Sequence, residues 1–170
     1  MSEFVSHCFG PVADSGSRVL ILGTMPSPAS RENGFYYSHP RNRFWPVMAA
    51  LFDAPLPAGP DEKKALMLKE HIALWDVLKS CCIDGASDAS IRVPVPNDIP
   101  ALLGRFPGIK SVFTTGQTAY REYMRAFCGK DSAEKIRVPL PTALPSTSPA
   151  NARMSAEKLI DSYRIILSAL

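Results

Sequence analysis

Length, composition and charge are those of an ordinary globular protein. The 170 residues, 46% of them hydrophobic, can bury a core without the help of disulfides or metal ions. We expect one domain over residues 1–170. The mean hydropathy is −0.01, and no apolar run approaches the roughly 20 residues that a membrane span needs, which argues against a transmembrane protein. The net charge of +3 permits an anionic partner without requiring one.

The cysteines do not form a metal-binding pattern. Cys81 and Cys82 are adjacent, and the chain has no CxxC pair of the kind that zinc and iron–sulfur sites use. We therefore expect free thiols, no metal and no cofactor. The first residues also lack the basic start and apolar stretch of a secretory signal, so we expect a cytoplasmic protein, and we expect a monomer.

The first half of the chain begins with a run that predicts a buried strand. Residues 19–22 are all apolar and end at Gly23, as in a strand covered on both faces of a parallel sheet. The other expected elements are a loop over 24–41, a helix over 42–52, a helix from its N-cap Asp61 to about Ile72, either a strand or a turn over 73–80, and a loop over 82–96.

The second half alternates between helices and strands. The expected elements are a helix capped by Asn97 or Asp98 and stopped at Pro107, a strand over 109–115, a helix over 117–127, a strand over 136–140, a loop over 144–149 and a helix over 152–170. This alternation predicts an α/β fold, a three-layer sandwich with a mostly parallel sheet. Right-handed crossovers would bring the loops after the strands to one edge of that sheet.

Three polar loops follow predicted strands and should share that edge. They cover residues 23–45, 114–117 and 144–151, and we call them the first, second and third loops. Their Ser, Thr, Asn and Gly residues suit phosphates and base edges. The first loop also mixes aromatic and basic residues between Phe35 and Arg43, as in proteins that stack rings on bases and pair Arg with phosphate. These loops indicate nucleic acid as the partner.

Motifs in these loops resemble the uracil-DNA glycosylase superfamily. GTMP at residues 23–26 stands where that superfamily places its water-activating loop after the first strand. PRNRFW at 40–45 is similar to an element of the mismatch-specific branch, and LPS at 144–146 falls at the loop that presses into the minor groove. The longer strings over 34–45 and 144–151 most resemble the hypoxanthine-DNA (deoxyinosine) glycosylase branch.

The resemblance implies a fold, a reaction and a partner. The fold would be a uracil-DNA glycosylase-like α/β/α sandwich with a four-stranded, mostly parallel sheet. The reaction would be hydrolysis of the N-glycosidic bond of a deaminated base, hypoxanthine or uracil, in DNA. It would leave an abasic site for base excision repair, through a monofunctional glycosylase that uses no metal.

The resemblance also implies roles for individual residues. Met25 stands where many members carry an Asp or Asn that orients the attacking water, so the catalytic role passes to Asn42. The expected base-binding residues are Gly23, Thr24, Met25, Pro26, Tyr37 and Thr115. The expected DNA-binding residues are Ser27, Arg41, Pro145, Ser146, Ser148, Asn151 and Arg153.

Simpler interpretations remain open beside each role. Asn42 could cap the helix that starts there, Tyr37 could be a packing residue, and Ser146 and Ser148 could be turn residues. Arg41 and Arg43 could be surface charges. The whole chain could also bind a nucleotide or nucleic acid without cleaving it, or act on free nucleosides.

Overall fold

Two β-sheets organise residues 2–129 and 138–170, the part of the chain that the computed structural model describes. The strands are β1 (Glu3–Ser6), β2 (Val19–Gly23), β3 (Ile72–Asp76), β4 (Leu78–Asp84), β5 (Ser87–Pro96), β6 (Ser111–Thr115) and β7 (Pro141–Leu144). The helices are α1 (Pro28–Asn33), α2 (Phe44–Leu51), α3 (Pro60–Lys69), α4 (Ile99–Arg105), α5 (Gln117–Phe127) and α6 (Ala156–Tyr163), and a 3-10 helix follows over Arg164–Ala169.

The larger sheet has the order β3-β2-β6-β7, and all its strands are parallel. Every residue of β2 is buried, as its unbroken apolar run predicted. The register pairs Gly23 with Asp76 on one side and Thr115 with Leu144 on the other. Because these residues end their strands, the first, second and third loops leave the sheet at one edge. The predicted α/β fold with a parallel four-stranded sheet is confirmed.

Helices cover both faces of this sheet and complete the three layers. On one face, Ile21 packs in a core with Met48 of α2, Met67 of α3 and Leu159 of α6. Residues of α4 and α5 pack on the other face, against Leu20, Leu22 and Val112. Removing each such side chain from water contributes about 1.5–3 kcal/mol, so the two apolar layers hold the strand ends in place.

The smaller sheet, in the order β1-β4-β5, is antiparallel and differs from the prediction. Residues 82–96 were expected to be a loop, but they complete β4 and form β5. Residues 73–80, which were predicted to be either a strand or a turn, contain most of β3 and the start of β4. No residue of β5 is buried, and its two prolines are tolerated because β5 is an edge strand. A strand with so little apolar content gives no hydrophobic periodicity to detect.

Several helix boundaries also differ from the prediction. The short helix α1 lies inside the predicted long loop, and its N-cap is Ser27. The N-cap of α3 is Gly59, with Pro60 in the first turn, so Asp61 lies inside the helix and not at its cap. The closing helix begins later than expected, after Ser155, whose hydroxyl accepts from the Lys158 N–H.

The remaining predictions concern residues 97–144. The Asp98 cap of α4 and the bounds of α5 agree with the prediction. The strand expected over 136–140 lies partly outside the described residues. Residues 138–140 are not in a strand, and the strand that follows β6 at the edge of the sheet is β7. Within the described ranges, no helix is long and apolar enough to cross a membrane.

Candidate active site

A cavity of about 490 Å³ lies at the carboxyl edge of the parallel sheet. All three polar loops line it, and the hairpin between β4 and β5 forms a further wall. The predicted site residues that line it are Gly23, Thr24, Met25, Pro26, Ser27, Tyr37, Arg41, Asn42, Thr115, Ser146 and Ser148. Three predicted DNA-binding residues, Pro145, Asn151 and Arg153, are not among the lining residues.

The backbone at the end of β2 is fixed on its β3 side. The Gly23 carbonyl accepts from the Val77 N–H at 2.9 Å, and the Thr24 carbonyl accepts from the Leu78 N–H at 3.0 Å. A Cβ on residue 23 would lie 2.2 Å from Oδ1 of Asp76, so only glycine fits beside this carboxylate. The GTMP turn therefore starts from a rigid, closely packed point.

Asp76 is a buried carboxylate that sequence reasoning did not place in the site. It ends β3, lines the cavity, and its Oδ2 lies 2.8 Å from Nε2 of His7. The two side chains are only 5% and 4% exposed. Burial raises the pKa of Asp76, and the hydrogen bond and charge of His7 oppose that rise. His7 directly follows β1, a strand that the sequence did not predict, so no pattern linked the two residues.

Tyr37 packs against a core side chain and also lines the cavity. Its ring stacks on Phe44, with centroids 3.8 Å apart and planes 12° apart, so only the opposite face remains for a ligand. Its hydroxyl lies 3.1 Å from the Thr115 Oγ1. The backbone φ of Tyr37 is 53°, which is uncommon for a residue other than glycine. The stacking and the hydrogen bond of the side chain stabilise this backbone conformation. Burial raises the pKa of Tyr37, which keeps its phenol neutral.

Asn42 directly precedes Arg43, the N-cap of α2, and also faces the cavity. Its Oδ1 accepts from the Phe44 N–H at 2.9 Å, at the start of α2. Its Nδ2 has no hydrogen-bond partner within residues 2–129 and 138–170. Asn42 is therefore not the N-cap, because that position belongs to Arg43, but its side chain does bond the first N–H of α2. The catalytic role stays a prediction that this contact does not exclude.

Arg43 joins the first loop to the third and is not a free surface charge. Its guanidinium donates to the carbonyls of Ser148 at 3.0 Å and Asn151 at 2.8 Å, and also to that of Met154. Its own N–H donates to the Thr147 carbonyl at 3.1 Å. Arg41, two residues earlier, is exposed at the cavity rim.

The third loop is folded by its own side chains. The Ser146 Oγ accepts from the Ser148 N–H, and the Ser148 Oγ accepts from the Ala150 N–H, both at 3.2 Å. The Asn151 Nδ2 donates to the Ser146 carbonyl at 2.9 Å. These are turn contacts, as the simpler interpretation expected. Roles for these residues toward DNA stay predictions.

Two further predicted DNA-binding residues, Pro145 and Arg153, lie at the start of the third loop and beyond its end. The Pro145 carbonyl accepts from the Tyr163 hydroxyl at 2.9 Å, so the last helix supports the start of the loop. Arg153 lies just past the loop and is exposed.

The hairpin wall contributes a second carboxylate, Asp88. Its Oδ2 accepts from the Thr24 Oγ1 at 2.8 Å, which ties the hairpin to the GTMP turn. Burial raises the pKa of Asp88, and the hydrogen bond from Thr24 opposes the rise. Asp88 lies near the start of β5, in the segment expected to be a loop, and the low apolar content of that strand gave no signal for it.

No metal-binding cluster is present in the described part of the chain, where no three His, Cys, Asp or Glu side chains converge. The four cysteines are free thiols, as the sequence predicted.

Comparisons with known proteins agree with the motifs. Residues 9–168 match the model of the uracil DNA glycosylase superfamily. The chain is 32% identical over 155 residues to a hypoxanthine DNA glycosylase of Methanosarcina acetivorans, covering 91% of this chain and 93% of that one. It is 31% identical over 121 residues to a hypoxanthine DNA glycosylase of Methanosarcina barkeri, covering 69% and 77%.

A solved structure has the same fold. It is a solution NMR structure from Methanosarcina acetivorans, described as a candidate uracil DNA glycosylase. The TM-score is 0.74 at 25% identity, and the match covers 97% of this chain and 99% of the other. Together with the family match over residues 9–168, this shows that the chain belongs to the uracil DNA glycosylase superfamily.

Proposed function

We propose that this protein is a monofunctional DNA glycosylase. It hydrolyses the N-glycosidic bond of a deaminated base, hypoxanthine or uracil, and leaves an abasic site for base excision repair. The observation that carries the proposal is the meeting of all three polar loops at one cavity, in a chain similar to proteins named hypoxanthine DNA glycosylase. Its partner is DNA, and it acts as a monomer built from a single domain.

The cavity has the size and walls that a flipped nucleotide needs. A base inside a duplex cannot reach such a pocket, so the target must leave the stack. A volume of about 490 Å³ is within the range of small-molecule sites. Tyr37 lines the cavity, and the ring face opposite Phe44 would offer a stacking surface. The GTMP turn and Thr115 line the same space and would hold the base.

The reaction we propose is mainly electrostatic. Water attacks C1′ while the bond from C1′ to the base nitrogen breaks, and the departing base takes up a proton. The sugar passes through an oxocarbenium-like cation, so preorganised polar groups around the base and the water lower the barrier. Asn42 would orient the water, because its Oδ1 is fixed by Phe44 and its Nδ2 is available at the cavity. Backbone amides after Gly23 would assist.

Phosphate contacts are proposed around the rim. Ser27, Arg41, Ser146 and Ser148 line the cavity and can reach the backbone of the flipped strand. The third loop acts as a unit, because Asn151 folds it from within. Arg153 is exposed beside it and can meet a further phosphate. The proposed reaction uses no metal and no cofactor, so turnover in excess EDTA should equal turnover without it.

A cleavage assay tests the proposal. Duplex and single-stranded oligonucleotides carrying one uracil, hypoxanthine, xanthine or mismatched thymine are incubated with the protein and then treated with alkali. We expect strand breaks at hypoxanthine or uracil and none in the undamaged control. Salt-dependent binding without breaks would show a nucleic-acid-binding protein instead. Release of base from free nucleosides without DNA binding would show a nucleosidase.

A further inference from the structure

The hairpin wall of the cavity contains a carboxylate that the proposed reaction does not use. Asp88 lies near the start of β5 and lines the cavity together with Gly85 and Ala86. Of its two oxygens, Oδ2 accepts from Thr24. Its Oδ1 has no hydrogen-bond partner within residues 2–129 and 138–170. A half-buried acceptor is therefore available at the cavity.

Asp88 is held in place from both sides. Thr24, which donates to it, is only 5% exposed, and its carbonyl is fixed by the Leu78 N–H. The hairpin is fixed by the pairing of β4 and β5, including Asp84 with Ser87. Burial and the charge of Asp76 raise the pKa of Asp88, and the hydrogen bond from Thr24 opposes that rise. In its ionised form the carboxylate can only accept hydrogen bonds.

Several other polar side chains of the cavity make hydrogen bonds with each other or with neighbouring residues. Asp76 is paired with His7, and the hydroxyls of Tyr37 and Thr115 are hydrogen-bonded to each other. Oδ1 of Asp76 also has no hydrogen-bond partner among the described residues, but Asp76 is only 4% exposed. Asp88 is half-buried, so its Oδ1 is the more accessible carboxylate oxygen of the cavity.

Deamination changes the hydrogen-bonding edge of a base in one defined way. Adenine N1 and cytosine N3 are unprotonated acceptors. After deamination, the same ring nitrogens of hypoxanthine and uracil carry a hydrogen and become donors. An acceptor-only group at this edge attracts the deaminated base and repels the parent base. A site built around such a contact rejects an analogue that lacks it.

We propose that Asp88 is a specificity-determining residue whose free carboxylate oxygen accepts the ring N–H of the deaminated base. This inference rests on the proposed glycosylase function and adds the chemistry of base choice. It accounts for the rejection of adenine and cytosine. Guanine and thymine also carry a ring N–H, so other walls of the cavity must exclude them.

A comparison of two substrates in two proteins tests this role. Matched duplexes carry either hypoxanthine or purine, which lacks the 6-oxo group and has an unprotonated N1. Single-turnover excision rates give a hypoxanthine-to-purine ratio for the parent protein and for Asp88→Asn. The amide can donate to the purine N1, so we expect the ratio to fall by about 10–100-fold. Uracil and 2-pyrimidinone provide the same comparison for pyrimidines.

Two control variants separate base contact from general effects. Asp84→Asn makes the same charge change on the same hairpin at an exposed residue outside the cavity lining, and it should leave the ratio unchanged. Thr24→Val removes the donor to Asp88 but keeps the carboxylate. It should lower the two excision rates together and leave the hypoxanthine-to-purine ratio largely unchanged.

The outcomes are distinct. If Asp88→Asn lowers both rates equally, as Thr24→Val does, Asp88 only positions the turn and the inference is wrong. It is equally wrong if the ratio does not move. If Asp88→Asn does not fold in a thermal melt, Asp88→Ser provides the same readout, because its hydroxyl can also donate to the purine N1. A parent protein that makes no abasic sites from any deaminated base contradicts the proposed function itself, and the inference with it.

Discussion

The parallel sheet and the small antiparallel sheet contribute to the same cavity in different ways. The parallel sheet delivers three loops from the ends of buried strands. The antiparallel sheet delivers Asp88 on its hairpin and brings His7 to Asp76. The first region is built on apolar strands, whereas β5 has no buried residue at all. Apolar patterns therefore reveal the scaffold of a pocket but not a wall that stays at the surface.

The largest effect is expected from a variant that breaks the contact between the two regions. His7→Ala leaves the buried Asp76 carboxylate without its partner, and breaking such a pair costs about 3–5 kcal/mol. Urea unfolding measures this loss. His71→Ala, at an exposed residue, should cost far less. Adding Asp76→Asn to His7→Ala should recover part of the loss, and a double variant as unstable as the single one would contradict the pairing account.

The pH dependence of that loss sharpens the test. The folded-state pKa of Asp76 is raised, so its contribution to stability is complete below the unfolded pKa and is lost as pH rises through the folded value. His7→Ala removes the contacts that oppose the rise and moves the folded value still higher. The difference in unfolding free energy between parent and variant should therefore be larger at neutral pH than near pH 4. An equal difference at both pH values would count against this assignment.

The next largest effect is expected from a substitution in the first loop. Asn42→Ala should reduce base excision by roughly 10²–10³-fold if the amide supplies one preorganised contact in the transition state. It should also cost about 1 kcal/mol of stability, because the Phe44 N–H loses its hydrogen bond to Oδ1. Single-turnover rates and a thermal melt separate the two effects.

Asn42→Asp is the matched control. A carboxylate can still accept from the Phe44 N–H and orient a water, so this variant should melt like the parent and retain some turnover. If Asn42→Ala folds, binds DNA and excises bases at the parent rate, the hydrogen bond to Phe44 is the whole role of Asn42.

A pair of arginines provides the third comparison. Arg43→Met removes the guanidinium donors to carbonyls of the third loop and should cost about 1.5–3 kcal/mol, together with a loss of DNA affinity. Arg41→Met changes the same charge at an exposed side chain and should leave the melting temperature unchanged. Equal melting temperatures for the two variants would show that Arg43 does not hold the loops together.

The smallest effect concerns the rim. Binding of undamaged DNA should weaken with salt, with a log–log slope near −0.9 for each neutralised phosphate. Arg41→Ala should reduce the magnitude of that slope by about 0.9 if the side chain meets one phosphate. Titrations at several salt concentrations measure it, and an unchanged slope would place Arg41 away from the DNA backbone.

The sequence predicted the scaffold and the loops for a physical reason. The apolar run of β2 and the patterns of α4 and α5 report burial directly, and the order of strands and helices then places the loops at one edge. Eleven of the fourteen predicted site residues line the cavity as a result. Their chemical roles stay predictions, because position alone does not show what a side chain binds.

The features that the sequence did not predict depend on contacts between residues that are distant in sequence. Arg43 gave no local sign that it would donate to two carbonyls of the third loop and to that of Met154. The partnership of His7 and Asp76 depends on β1 pairing with β4, which no local pattern specifies. Asp88 lies in a polar strand whose apolar content is too low to predict pairing. Each of these residues is defined by tertiary structure and not by its neighbours in the chain.

The strand order also has a consequence for how the protein folds. The register pairs Val19 with both Ile72 and Ser111, and Glu3 with Ile83, so most strand pairs join distant parts of the chain. Such topologies fold more slowly than helical ones, because long chain segments must close before their contacts form. The hairpin of β4 and β5 is a local pair and can form early. The cavity collects residues from Gly23 to Ala150, so a growing or partly folded chain has no working version of it.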